Sequence, residues 1–200
     1  MKIFGGLAAT LVAFPACAAP ALMPLPVSVV PNGTGTLRIE GPLKAEWQGC
    51  GDAVALDRAA GRLGSDIQRQ TGLIFDPAKP LAVQATCRSA QDGADRGEAY
   101  RLIVADDGIR IEADGPTGVL RAYASLRQLA GLSPSGIAIS HQTITDAPRF
   151  AWRGVMLDPA RHFISVATLK RQIDAMERLK FNTLHLHLSD GQGFRVESLR

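Results

Sequence analysis

Residues 181–195 read FNTLHLHLSDGQGFR. His185 and His187 stand two apart on an apolar run, and Asp190 follows three residues after the second. In a strand, residues i and i+2 point to the same face. The pattern therefore fits a His-x-His metal site completed by an aspartate elsewhere, or two strand histidines hydrogen-bonded to their neighbours. A zinc site needs about three or four ligands. No further ligands are visible, so we adopt the second reading. A polar cluster also lies upstream, in LDPARHF, with Asp158, Arg161 and His162. It is matched by Asp190, Gln192 and Arg195 in LSDGQGFR. An arginine fork beside an aspartate suits vicinal hydroxyls or a carboxylate, because guanidinium donors come as a planar pair. The same residues would also serve as a structural salt-bridge cluster at a loop.

Both clusters follow apolar runs that read as strands. WRGVMLD (152–158) has the character of a buried strand, and NTLHLHLS (182–189) is the next. Between them Ser165 is placed to cap a helix with a core face of Leu169, Ile173 and Met176 and an Asp174–Arg178 pair. This spacing predicts a parallel strand–helix–strand crossover. Ligands of parallel α/β folds bind at the carboxyl ends of the strands, where both clusters stand. Trp152, opening its strand, reads as core rather than as a sugar platform.

The residues before Pro148 follow another pattern. Residues 20–35, rich in Pro and Gly, read as an extended lead-in. Asp52 and Gly72 bracket a helix whose apolar face is Leu56, Ala60, Leu63 and Ile67. LAVQATC (81–87) is a strand, and AYRLIVADDGIRIEA (99–113) a hairpin turning at Asp107-Gly108. Pro116 opens a second helix with Val119, Tyr123, Leu126 and Ala130 on its apolar face, and GIAISHQTITD (136–146) is a further strand. We expect an α+β domain, an antiparallel sheet with two helices on one face.

Composition excludes other classes. The 200 residues are 46% apolar and 20% charged, with a net charge of +3. Basic residues are scattered, which argues against nucleic acid as a partner. The start, MKIFGGLAATLVAFPACAAPALMP, has a basic n-region, a short apolar stretch and a small-x-small cleavage site. It reads as a secretory signal peptide, residues 1–18, rather than a transmembrane segment. Cys17 after Ala16 also offers a lipoprotein site, but Phe14 and Pro15 fit that poorly. The expected location is the periplasm or the medium. Cys50 and Cys87 then remain, either bonded to each other or as buried thiols.

WRGVMLDPARHF, a helix, and KFNTLHLHLSDGQGFRVES together closely resemble glycoside hydrolase family 20, the β-N-acetylhexosaminidases. The resemblance implies three parts. Residues 1–18 are the signal peptide, 19–148 the family's α+β domain, and 149–200 the first βαβ unit of an incomplete (β/α)8 TIM barrel. It implies that Arg161 holds the 3- and 4-hydroxyls of a terminal N-acetylhexosamine and that Asp190 supports the catalytic network. Asp158, His162 and His187 are supporting candidates, and the paired histidines are not metal ligands. Two positions depart from the family pattern: Gly191 replaces a second acidic residue, and Phe194 a tryptophan. The implied activity is exo-hydrolysis of oligosaccharides ending in N-acetylglucosamine or N-acetylgalactosamine, by a retaining, substrate-assisted mechanism without metal or cofactor. The family's catalytic Asp-Glu pair does not occur in these 200 residues. The expectation is therefore the N-terminal portion of such an enzyme, inactive alone. The alternative is a non-catalytic carbohydrate-binding or docking module.

Overall fold

The computed structural model describes residues 22–51, 53–88 and 97–197. The signal peptide, Cys17 and the Asp52 cap lie outside the described residues. The chain order is β1 (Ser28–Ile39), β2 (Leu43–Gln48), α1 (Ala53–Thr71), β3 (Leu81–Cys87), β4 (Tyr100–Ala105), β5 (Gly108–Ala113), α2 (Pro116–Leu129), β6 (Gly131–Ser133) and β7 (Gly136–Asp146). It continues with β8 (Gly154–Leu157), α3 (Val166–Arg178), β9 (Thr183–Leu186), β10 (Ser189–Asp190) and β11 (Gly193–Phe194).

The first seven strands form one sheet, ordered β1-β7-β4-β5-β3-β2, with β6 beside β7. Burial alternates along β3 and β4, so one face is covered and the other solvated. Leu56, Ala60, Leu63 and Ile67 of α1 are buried in one core with Val119, Tyr123 and Leu126 of α2. They meet Val83, Leu102, Val104, Ile109, Ile111 and Ile144 of the sheet. Each such side chain contributes about 1.5–3 kcal/mol on burial. The β4–β5 hairpin turns at Asp107-Gly108, where Gly108 has φ 128°, a value that L side chains rarely adopt.

The expected antiparallel sheet needs correction: it is mixed. β2 pairs parallel with β3, and β3 parallel with β5. The first pairing follows from α1, which carries the chain from the end of β2 back to the start of β3, a crossover that demands parallel partners. The second follows from the β4–β5 hairpin, which sets β5 rather than β4 beside β3. The lead-in also needs correction, since β1 begins at Ser28. Pro31 is tolerated there because β1 is an edge strand with a register shift between Pro31 and Thr36. Cys50 and Cys87, at the ends of neighbouring β2 and β3, form a buried disulfide across a sequence separation of 37.

β8 and β9 pair in parallel, Gly154 opposite Thr183 through Leu157 opposite Leu186, with α3 connecting them. Ser165 Oγ accepts from Thr168 N at 3.2 Å and caps α3. The expected burial here is corrected. On α3 only Met176 is buried, and Ile173 is 49% exposed. Met156 of β8 and Trp152 ahead of it are exposed too. A two-stranded sheet covered on one side cannot enclose these faces. Arg178 lies nearest Asp66 of α1, at 3.9 Å, rather than Asp174.

The joint between this unit and the large sheet is polar and tight. Lys180 follows α3 with φ 61°, a left-handed conformation that is costly for a lysine and is usually left to glycine or asparagine. Its ammonium is buried, donating to Asp146 Oδ2 at 2.6 Å and to Tyr100 Oη at 2.8 Å. Tyr100 Oη lies 2.7 Å from Ser125 Oγ of α2. Burial pushes the Lys180 pKa down, and Asp146 opposes that shift. Beside it Glu98 accepts from Arg121 Nε at 2.6 Å, from Arg153, and from Asn182 Nδ2 at 3.3 Å.

Two outcomes test this account. Asp146→Ala leaves the buried ammonium without its counter-charge, with Tyr100 Oη as its remaining partner, and is expected to cost about 3–5 kcal/mol in urea unfolding. The pair Lys180→Met with Asp146→Leu is expected to recover part of that. Replacing Cys50 and Cys87 together by Ala is expected to cost about 3–4 kcal/mol, and reductant should bring the unsubstituted protein to the same stability.

Candidate functional site

The parallel pairing of β8 and β9 sets two loops side by side at the carboxyl ends of the strands. Asp158 is the first residue beyond β8. Its Oδ1 accepts from the backbone N–H of Arg161 at 2.9 Å, closing a tight turn over Pro159 and Ala160. Its Oδ2 accepts from Arg161 Nη1 at 2.8 Å. The other terminal nitrogen, Arg161 Nη2, lies 2.6 Å from Asp190 Oδ2. The same Asp190 oxygen accepts from His187 Nε2 at 3.1 Å. Asp190 Oδ1 accepts from the backbone N–H of Gly191 at 2.6 Å, within the two-residue turn between β10 and β11.

Four of the residues singled out from the sequence thus form one network: Asp158, Arg161, His187 and Asp190. His162 stays outside it. Among the described residues its ring has no hydrogen-bond partner, and only its backbone N–H engages, donating to Asp158 O at 3.3 Å. His185, paired with Met156 across the strands, is exposed and also outside the network. No group of three or more His, Cys, Asp or Glu that could hold a metal ion occurs among the described residues.

The electrostatics follow from the donors. Asp190 is held below the ordinary carboxylate range, first by the Gly191 N–H, then by the His187 hydrogen bond and the Arg161 charge. Asp158 is lowered chiefly by the Arg161 backbone N–H, with the Arg161 side chain adding to it. Both carboxylates are therefore ionised at neutral pH. The guanidinium carries five N–H donors, and these two carboxylates draw on its two ends. The Arg161 side chain remains 58% exposed, so its other donors face solvent. Such a site suits a neutral ligand rich in hydroxyls, since two carboxylates already balance the arginine.

The sequence reading missed the joint behind this site. It places Tyr100 and Asp146 only as members of strands, and it singles out neither Lys180 nor Glu98. One signal was available: a lysine stands just past the end of α3, where glycine or asparagine is the usual choice.

A pH titration tests the network. The folded pKa values of Asp158 and Asp190 are lowered, so their contribution is present above the unfolded value and lost as pH falls through the folded one. Carboxyl resonances of both should titrate below those of a free aspartate. Arg161→Ala should raise Asp190 only part of the way, because the Gly191 and His187 donors stay. A full return to the ordinary value would contradict the geometry.

Comparison with known proteins gives concordant results along the chain. The family described as Glycosyl hydrolase family 20, domain 2, matches residues 19–147. The one described as Glycosyl hydrolase family 20, catalytic domain, matches residues 150–200. A beta-hexosaminidase of Akkermansia muciniphila is 42% identical over 137 residues, which are 64% of this chain and 27% of that protein. The crystal structure of a Flavobacterium johnsoniae chitobiase superposes with a TM-score of 0.76 at 31% identity, covering 89% of this chain and 28% of that one. A Vibrio harveyi exo beta-N-acetylglucosaminidase, solved in complex with N-acetylglucosamine, gives a TM-score of 0.69 at 30% identity over 88% of this chain and 26% of that one. The chain spans about a quarter of the length of these relatives. With one or other description matching from residue 19 to 147 and from 150 to 200, the chain belongs to glycoside hydrolase family 20.

Proposed function

We propose that these residues are the N-terminal part of an exo-acting β-N-acetylhexosaminidase. The observation that carries the reading is Arg161, held at both ends by Asp158 and Asp190 with its remaining donors open to solvent. A guanidinium fixed in this way is preorganised: the ligand does not have to order a long, flexible side chain. Its planar donors match the vicinal 3- and 4-hydroxyls of a non-reducing terminal sugar. A site that grips the terminal sugar by its far edge favours exo action. The complex of the Vibrio harveyi relative with N-acetylglucosamine supports N-acetylhexosamine as that sugar.

In this reading β8, α3 and β9 open a (β/α)8 barrel, and the exposed faces of Met156, Ile173 and Trp152 are covered by its later strands and helices. Residues 1–18 direct export, 19–148 form the accessory domain and 149–200 begin the catalytic one. The mature enzyme works in the periplasm or the medium on oligosaccharides ending in N-acetylglucosamine or N-acetylgalactosamine. The substrate's own acetamido oxygen attacks the anomeric carbon, so configuration is retained without an enzyme nucleophile. Asp190, ionised and bound to His187, supports the catalytic groups electrostatically. The acid–base residue and the residue that orients the acetamido group lie outside these 200 residues.

The test is hydrolysis of an aryl N-acetyl-β-glucosaminide by the product of the complete reading frame and by residues 19–200 alone. The complete product should turn over, and Arg161→Ala should lower kcat/KM roughly 100-fold, as expected for lost hydrogen bonds to a charged group. Residues 19–200 should show no turnover above a heat-killed control. Preference for a uronide, or activity of the shorter chain abolished by Arg161→Ala, would overturn the reading.

A further inference from the structure

Arg161 reaches its place through a turn, and that turn is fastened from outside. The two peptide carbonyls ahead of Arg161 belong to Pro159 and Ala160. Arg195 Nε donates to Pro159 O at 2.8 Å, and Arg195 Nη2 donates to Ala160 O at 3.2 Å. The backbone of Arg195 is itself anchored, its N–H donating to Leu188 O at 2.9 Å. Its guanidinium lies 5.6 Å from the centre of the Phe163 ring, on the far side of the same loop. The Ala160 N–H completes the attachment by donating to His187 O at 3.2 Å. Ala160 is fully buried by these contacts.

Gly193 makes room for this arrangement. A Cβ added there would lie 2.8 Å from Arg195 Nη2 and 2.9 Å from Ala160 O. The first atom ends a flexible side chain, but the second is backbone and cannot yield cheaply. Glycine at this position lets the guanidinium pass across the β10–β11 hairpin to the neighbouring loop. One arm of the hairpin carries Asp190, and Arg195 follows the other. The hairpin therefore supplies both the carboxylate that meets the Arg161 side chain and the fork that holds the Arg161 backbone.

We infer that Arg195 is a positioning residue for the sugar-gripping arginine: it sets the Asp158–Arg161 turn so that Arg161 is presented between its two carboxylates. The inference rests on the proposed role of Arg161 as the ligand for the sugar hydroxyls. Arg195 binds carbonyls with a planar fork, so a lysine, which offers a point charge, restores only part of its function. Without the fork the turn samples other positions, and a misplacement near 1 Å at a reacting site costs up to about 100-fold.

A double-mutant cycle on the complete enzyme tests this, with kcat and KM measured separately and thermal melting alongside. Arg195→Ala should lower kcat/KM by about 10- to 100-fold, largely through KM, and Arg195→Lys should lie between it and the parent. Gly193→Ala should reproduce the loss with Arg195 still present. In the Arg161→Ala background, Arg195→Ala should add less than about twofold, because it acts through the missing group. A loss of the same size in that background assigns Arg195 a general structural role and overturns the inference. So does parental activity in all three Arg195 and Gly193 variants. If Arg195→Ala does not fold, Arg195→Lys and Gly193→Ala give the same decision. If Arg161→Ala alone is silent, the proposed role of Arg161 falls, and this inference falls with it.

Discussion

The ammonium of Lys180 sits between Asp146 and Tyr100, at the residue where the chain leaves α3 in a left-handed conformation. A charge taken out of water is tolerated only with close partners, and these come from β4 and β7 of the large sheet. The requirement works in both directions. It holds the turn before β9 against the end of the sheet, and it holds the sheet end against α3. The carbonyl of Lys180 accepts from Arg153 Nε at 2.9 Å, and that of Phe181 from Arg121 Nη1 at 3.3 Å. Asn182 Oδ1 accepts from the backbone N–H of Arg153 at 2.9 Å. The start of β9 is thus located by Arg121 of α2 and by Arg153 just ahead of β8, in addition to its pairing with β8.

The site depends on that location at one remove. β9 is short, so an offset at Lys180 would be carried to His187 and Asp190 at its other end. There the network is built from opposed charges close to water. Its individual ion pairs contribute little to stability at this exposure. Their value is orientation, since one guanidinium held by two carboxylates has few rotamers left. Stability comes from elsewhere: the apolar layer between the sheet and its two helices, and the disulfide that ties β2 to β3.

This division explains the uneven burial of the molecule. The sheet and its helices enclose a continuous core, from Leu56 and Ile67 to Leu102, Ile111 and Ile144. The βαβ unit encloses almost nothing, with Phe150, Trp152, Met156, Phe163 and Phe194 all more than half exposed. It keeps its form through backbone pairing with a parallel neighbour and through the polar joint at its base.

Local pattern alone determined much of this protein. The helical spacing of Leu56, Ala60, Leu63 and Ile67, the Asp107-Gly108 turn and the Ser165 cap are short-range features, and their physics acts within a few residues. The motif around Asp158, Arg161, His187 and Asp190 was legible for a related reason. Each loop directly follows an apolar run, and parallel strands must bring their carboxyl ends together. What only the tertiary structure decided are relations between distant positions. Which strands run parallel in the sheet depends on where α1 returns the chain and on which arm of the β4–β5 hairpin meets β3. The exposure of Ile173 and Met156 depends on which layers cover them. The burial of Lys180 depends on Asp146 and Tyr100, respectively 34 and 80 residues away, and the grip of Arg195 on Pro159 and Ala160 spans about as much chain as the first of these. Apart from the lysine standing where a helix end usually takes glycine or asparagine, residue type does not say whether water or a distant partner will solvate a charge, so these contacts appear only once the fold has closed.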